Sequence, residues 1–218
     1  MYRPRLISVE FVTSVASSSD LPGDTVPEIA MAGRSNVGKS TLINALTGRK
    51  LARTSAAPGK TRLANVFRLR PDRMRPFYLV DLPGYGYARG APGGRAFESL
   101  TQEYFFGTDG RGGPMRPAIA GIVLLVDGRH PGLEPDCEAA AWFAAWGCPL
   151  AIAATKVDKL TRAERQRNRH AFRTAFGAPP LMLSALTGEG LEDLWTWITQ
   201  QLELWTPTRR PSTSGSSI

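Results

Sequence analysis

An apolar run, Pro27-Glu28-Ile29-Ala30-Met31-Ala32, leads directly into Gly33-Arg34-Ser35-Asn36-Val37-Gly38-Lys39-Ser40, and a helical pattern over residues 40–46 follows at once. No other stretch constrains the fold as tightly. The octapeptide matches G-x-x-x-x-G-K-[ST], a loop that joins a buried strand to a helix and presents backbone N–H groups to phosphate. Gly33 and Gly38 let the chain turn tightly enough to aim those groups at a polyphosphate. Lys39 reaches the outer phosphates as a point charge, and Ser40 offers a hydroxyl to a Mg²⁺ shell. A helix N-terminus behind the loop favours the same anion.

The rest of the chain repeats this alternation. Strand-like runs fall at residues 28–32, 63–69, 77–81, 119–127, 150–155 and 181–184, and helical patterns at 39–47, 96–105, 135–146, 162–176 and 191–204. That order predicts an α/β fold of three layers, with a mostly parallel central sheet and helices on both faces. Leu191, Leu194, Trp195, Ile198 and Leu202 recur at i, i+3, i+4, i+7 and i+11. Such a stripe either packs on the sheet or docks a partner, and core packing is the expectation. Residues 1–26 read as an N-terminal extension with an extra edge strand at 6–12 and a polar lead-in from 13. Residues 27–205 form the domain, and 206–218, rich in Pro, Ser and Thr, read as a disordered tail. Segments 83–95 and 107–117, dense in Gly, Pro and Arg, read as mobile loops.

Composition narrows the setting. The apolar runs 119–126 and 150–154 have strand length, far short of the roughly 18 to 20 residues of a membrane span. The first ten residues lack a secretory signal pattern, so no membrane and a cytoplasmic location are expected. Cys137 and Cys148 lack metal-ligand spacing and are expected to be reduced and packed. The net charge of +8, with only five lysines among 27 basic residues, favours a polyanionic partner.

Three further segments fit a nucleotide. Asp81-Leu82-Pro83-Gly84 closes the run 77–81; an Asp at a strand tip can hold Mg²⁺, and Gly84 can bring its N–H to the terminal phosphate. The loop Gly59-Lys60-Thr61-Arg62-Leu63 lies between, and Thr61 would add a second hydroxyl to the metal shell begun by Ser40 and Asp81. Thr155-Lys156-Val157-Asp158 follows the run 150–155. Asp158 can accept from the ring N–H and exocyclic amine of guanine, a donor pair that adenine lacks, and such a site rejects the wrong base by roughly 10⁴-fold. Lys156 would lie along the base and buttress the phosphate loop, and Leu183-Ser184-Ala185 would complete the pocket. GTP and GDP, not ATP, are the expected ligands.

Gly33 to Ser40, Pro58-Gly59-Lys60-Thr61, Asp81-Leu82-Pro83-Gly84-Tyr85-Gly86-Tyr87-Ala88 and Thr155 to Asp158 together resemble the bacterial EngB (YihA/YsxC) GTPases, within the TrmE-Era-EngA-EngB-septin-like superfamily. The resemblance spans about residues 5 to 204, and its most distinctive piece is Asp81 to Ala88. It implies a single P-loop NTPase G domain that binds GTP and GDP with Mg²⁺ and hydrolyses GTP. It also implies a cytoplasmic monomer that acts with rRNA and ribosomal proteins in assembling the large ribosomal subunit and is needed for cell division and septation. A nucleotide-gated septation scaffold with negligible hydrolysis would use the same pocket. Many members carry two serines where this chain has Ser184-Ala185, and the tail after Leu204 has no clear counterpart.

Lys39, Asn36, Thr61 and Gly84 are the candidate catalytic groups. Many GTPases orient the attacking water with a glutamine just after the Asp-x-x-Gly glycine; here Tyr85 stands there, a poor substitute in hydrogen-bond pattern, so a low intrinsic rate is expected. The helper then comes from elsewhere. Asn36 matches the position where some related GTPases hold K⁺, or it braces the loop by side-chain bonds. A partner could instead complete the site by ordering segments 50–61 and 82–95. Tyr85 and Tyr87 either meet that partner or pack under the segment, with packing favoured. Arg162, Arg165, Arg169 and Arg173 share one helix face, with Glu164 the nearby acid and Phe172 and Phe176 at its border. That face either contacts RNA phosphates or is a solvated charge run. His130 and His170 stand isolated.

Overall fold

Successive side chains of β2 (Glu28–Gly33) leave the strand in opposite directions, and both sets meet apolar neighbours. Ile29 and Met31 join one core with Leu42, Ile43, Trp195 and Ile198; Ala30 and Ala32 join a second with Phe143 and Phe172. A strand buried on both faces sits at the centre of a layered fold. The computed structural model describes residues 4–15, 20–22, 25–52, 63–85, 101–106 and 116–206. In it β2 lies between β4 (Phe77–Asp81) and β5 (Ile119–Asp127), parallel to both. Among the described residues the sheet has seven strands, in the order β1 (Leu6–Val15), β3 (Ala64–Pro71), β4, β2, β5, β6 (Leu150–Thr155) and β7 (Leu181–Met182). The pairs β1–β3 and β3–β4 are antiparallel, and the others are parallel. The chain therefore has the predicted three-layer α/β fold of a P-loop NTPase G domain.

α1 (Lys39–Thr47) and α4 (Leu191–Leu204) contribute to the first core. A helical segment at 101–106, α2 (Glu134–Ala144) and α3 (Arg162–Phe176) contribute to the second. All five stripe residues of α4 are buried, and Trp195 meets Phe77 edge-on at 6.2 Å. The stripe is core, not a docking face. α3 begins with a capping box, in which Glu164 N donates to Thr161 Oγ1 and Thr161 N donates to Glu164 Oε2 at 2.8 Å, and it ends at Gly177 with φ 73°.

Boundaries differ in places. β1 continues to Val15 because Val15 pairs with Ala64 and Ser14 donates to Asn65 Oδ1 at 2.7 Å, so the polar lead-in begins later than residue 13. α2 ends at Ala144 because the chain turns through Gly147 at φ 68°. β7 stops at Met182, where the chain leaves the ladder for the turn that carries Ser184. Of the helix expected over 96–105, only the part from residue 101 is described, and it is helical through 106.

Glu28, almost fully buried at the start of β2, anchors that segment. Tyr104 Oη donates to Glu28 Oε2 at 2.6 Å, and Arg116 donates to Oε1 at 2.5 Å while its guanidinium lies 5.1 Å from the Tyr104 ring. Burial and the Glu28 charge push the Tyr104 phenol well above its ordinary pKa. Cys137 and Cys148 are both free thiols, and burial pushes Cys148 up to about 12. No helix among the described residues is long and apolar enough to cross a membrane.

Candidate nucleotide site

The phosphate loop leaves the carboxyl end of β2, which β4 and β5 flank on opposite sides, so the chain crosses from one half of the sheet to the other between those two strands. Gly33 has no room for a side chain: a Cβ there would lie 2.9 Å from Leu125 O and from Val37 Cγ1. Asn36 and Gly38 adopt left-handed backbone at φ 63° and 104°, separated by Val37, whose N donates to Arg34 O at 3.2 Å. Such reversals turn consecutive N–H groups into one concavity. α1 then starts with no side-chain cap and no acidic residue in its first turn, which leaves its first N–H groups for an anion. Lys39 Nζ donates to Asp81 Oδ1 at the tip of β4, so the loop lysine and the strand-tip carboxylate share one spot. Ser40 lies in the same first turn of α1.

The segment after β6, expected from the sequence to meet guanine, packs against the loop. Thr155 Oγ1 donates to Val37 O at 2.7 Å and to Val126 O at 3.1 Å. Lys156, itself left-handed at φ 60°, donates from Nζ to Asn36 O at 2.8 Å and to Asp127 Oδ2 at 2.9 Å. Its stem passes Gly38, where a Cβ would sit 3.8 Å from Lys156 Cε. The expected buttress is therefore a hydrogen bond to the loop carbonyl. Val157 N donates to Leu183 O, and Leu183 N donates to Ala154 O, which fixes the turn beside Asp158. Ser184 Oγ donates to Asp158 Oδ1 at 2.6 Å and accepts from Thr187 N at 3.2 Å, while Ala185 stands half-buried beside it. The Asn36 side chain is exposed and makes no hydrogen bond to another described residue, so the bracing alternative finds no support there. An asparagine tolerates the left-handed backbone of this position, which is reason enough for its presence in the loop.

On the switch side, Leu82 N donates to Met31 O, which holds the start of Asp81-Leu82-Pro83-Gly84 against β2. A Cβ at Gly84 would lie 2.9 Å from Ser35 N and Oγ, so only glycine allows this approach to the phosphate loop. Tyr85 continues the contact: Ser35 N donates to Tyr85 O at 3.1 Å, and Tyr85 N donates to Gly33 O at 3.3 Å. Tyr85 is packed and buried, as favoured from the sequence, and its Oη donates to Asp136 Oδ1 at 3.0 Å. The Arg34 side chain, placed among the nucleotide contacts by the loop motif, donates from Nε to that same oxygen at 2.9 Å. Gly59, Lys60, Thr61, Arg62, Tyr87 and Ala88 lie outside the described residues; Leu63 is at their border and exposed. The chain entering that region is pinned to α1, since Asn44 Oδ1 accepts from Leu51 N and Ala52 N.

Sequence reasoning missed Asp127 and Asp136. Burial raises the Asp127 carboxyl, but bonds from Arg129 and Lys156 outweigh it and hold the group well below the carboxylate range. Burial pushes the Asp136 carboxyl up, against the opposing pull of Arg34 and Tyr85. Asp127-Gly128-Arg129 does stand at a strand tip, the same signal that marked Asp81. On α3, Arg162, Arg169 and Arg173 are exposed, whereas Arg165 is bound to Glu189 at 2.5 Å and to Leu160 O. Phe172 points inward and stacks on Phe176 at 5.9 Å, so the phenylalanines do not interrupt the basic face. Gln166, Arg169, His170, Arg173 and Pro179 line an open groove there.

A family model described as 50S ribosome-binding GTPase matches residues 28–156. The chain is 42% identical over 200 residues to a probable GTP-binding protein EngB of Solibacter usitatus, covering 90% of this chain and 97% of that one. It is 41% identical over 196 residues to a probable GTP-binding protein EngB of Pelotomaculum thermopropionicum, covering 87% and 93%. A crystal structure of a probable GTP-binding protein EngB resembles it with a TM-score of 0.60 and 26% identity, over 81% of this chain and 98% of that one. A phosphate loop braced by a guanine-type turn on one sheet edge, in a chain matched over most of its length by such relatives, belongs to the EngB family of GTP-binding proteins.

Proposed function

We propose that this chain is a GTP-hydrolysing switch that works on the large ribosomal subunit during its assembly, with a low intrinsic rate. The observation that carries the nucleotide part is the bracing of Val37 and Asn36 by Thr155 and Lys156, which joins the phosphate loop and the guanine turn into one pocket. In this reading Gly33 to Ser40 and Leu82 to Gly84 meet the phosphates, Asp158 and Ser184 to Ala185 meet the base, and Gly59 to Leu63 close the site. Residues 27–205 are the G domain, with 1–26 an extension and 206–218 a tail, and the protein acts as a cytoplasmic monomer.

Hydrolysis of a phosphoanhydride passes through a loose transition state, so placing charge is most of the task. Lys39 and the loop N–H groups stabilise charge that grows between the β and γ phosphates, and Gly84 N–H receives the γ oxygens. Mg²⁺ fits the donors: no cluster of three or more His, Cys, Asp or Glu among the described residues could cage an ion, but Ser40 and Asp81, with Thr61, could share one with phosphate oxygens and water. When bound it supplies charge neutralisation there. The Tyr85 hydroxyl is committed to Asp136, which supports a slow rate without a helper at that position. The Asn36 side chain, exposed beside the loop, is the candidate ligand for K⁺ as that helper; hydrolysis indifferent to replacing K⁺ by Na⁺ would remove this part.

The ribosomal part draws on the family description and on the exposed arginines of α3, whose nearby acid is consumed in the helix cap. Co-sedimentation with large-subunit particles, compared between GTP analogue and GDP across salt, tests it. Nucleotide-dependent association that weakens as salt rises is expected, and no association in either nucleotide state would refute it.

A further inference from the structure

Outside the phosphate and base contacts, one buried carboxylate ties the two halves of the phosphate site together. Asp136 is about 1% exposed and lies in the first turn of α2, where the helix N-terminus favours negative charge. Its Oδ1 accepts from Arg34 of the phosphate loop at 2.9 Å and from Tyr85, the residue after Gly84, at 3.0 Å. Its Oδ2 is buried and has no hydrogen-bond partner among the described residues. The carboxylate thus depends on two donors, and each comes from a segment that faces phosphate. Those segments also touch directly, through Ser35 N to Tyr85 O, Tyr85 N to Gly33 O and the close approach of Gly84 to Ser35. An Arg34–Asp136 pair alone would be an ordinary buried ion pair. The phenol changes its meaning, because it makes the location of Gly84 depend on α2.

The geometry points to Asp136 as a positioning residue that, through Tyr85, sets where the Gly84 amide stands relative to the phosphate loop and so how the site senses a γ-phosphate. Tyr85 in this chain is then not a defective water-orienting residue but the handle by which α2 holds the turn. The inference rests on the reading of this pocket as a GTPase site. It separates two properties that share one pocket. GDP needs Lys39, the loop amides and the base contacts, none of which the phenol touches. A γ-phosphate needs the Gly84 amide as well.

Full-length wild type, Tyr85→Phe, Asp136→Asn and the double variant provide the test, with GDP and a non-hydrolysable GTP analogue titrated in parallel with kcat. Tyr85→Phe keeps the ring and the Arg34–Asp136 pair and removes only the hydroxyl. Loss of one hydrogen bond to a charged group should lower kcat and analogue affinity by about tenfold, with GDP affinity within about twofold. The double variant should be no worse than the stronger single one, because both act through one contact. Equal weakening of GDP and analogue, or an unchanged kcat and analogue affinity in Tyr85→Phe, would overturn the proposal. If Asp136→Asn does not fold, Tyr85→Phe decides alone. A wild-type chain that neither binds nor hydrolyses GTP would instead refute the functional reading, and the proposal with it.

Discussion

Ser184 reaches back across the turn after β7 to donate to Asp158, and this single hydroxyl fixes one oxygen of the carboxylate that the base would meet. At this position charge and donor pattern decide the ligand. Asp158→Asn turns an acceptor toward guanine into a mixed donor and acceptor, so preference should move to xanthine nucleotides, with GTP affinity down by orders of magnitude on the scale of roughly 10⁴ for such a site. Competition between GTP and XTP for the variant measures it, and unchanged guanine preference would remove Asp158 from the base pocket. Asp158 was legible because its tetrapeptide is local. Asp136 was not, since its donors stand 102 and 51 residues away and an acid near a helix start reads as a generic cap charge. Asn36 was half legible: the left-handed turn that explains its residue type appears only in the backbone.

Among the elements, α3 shows what a sequence face can and cannot tell. The four arginines do share a side, but only the structure divides them, with Arg165 engaged by Glu189 and Arg169 and Arg173 left on an open groove. Glu164 looked like their counter-charge, yet the helix start takes it for Thr161. If this face meets phosphates, Arg169→Glu with Arg173→Glu should weaken particle binding and flatten the salt dependence by about 0.7 to 0.9 in log–log slope for each phosphate no longer neutralised. GTP affinity should stay unchanged in the same protein. Co-sedimentation over a salt series reads the slope and nucleotide titration reads the affinity, and an unaltered slope would make α3 a solvated face. Periodicity located α4 and the central strands well, because burial there follows one repeat. It missed the last residues of β1, where pairing with β3 rather than apolar alternation extends the strand.

Across the whole molecule, the buried carboxylate Asp127 links stability to pH. Its folded pKa lies below the unfolded value of about 3.9. A depressed carboxylate contributes stability that is fully present above the unfolded pKa and is lost as pH falls through the folded one. Thermal unfolding of wild type and Asp127→Asn should therefore differ most near neutral pH, with the gap closing below about pH 4. A gap that is constant with pH would show that the charge of Asp127 does not carry the effect. Nucleotide binding should also weaken in this variant, because Asp127 orients the lysine that braces Asn36.

Glu28 and Gly33 are the two ends of one strand. Tyr85 is fastened at the Gly33 end and Tyr104 at the Glu28 end, so two residues well apart in the sequence are tied to the same strand. At about 3.3 Å per residue that strand is under 20 Å long. A shift of β2 along its own axis would therefore reach the phosphate loop and the buried Glu28–Arg116 pair together.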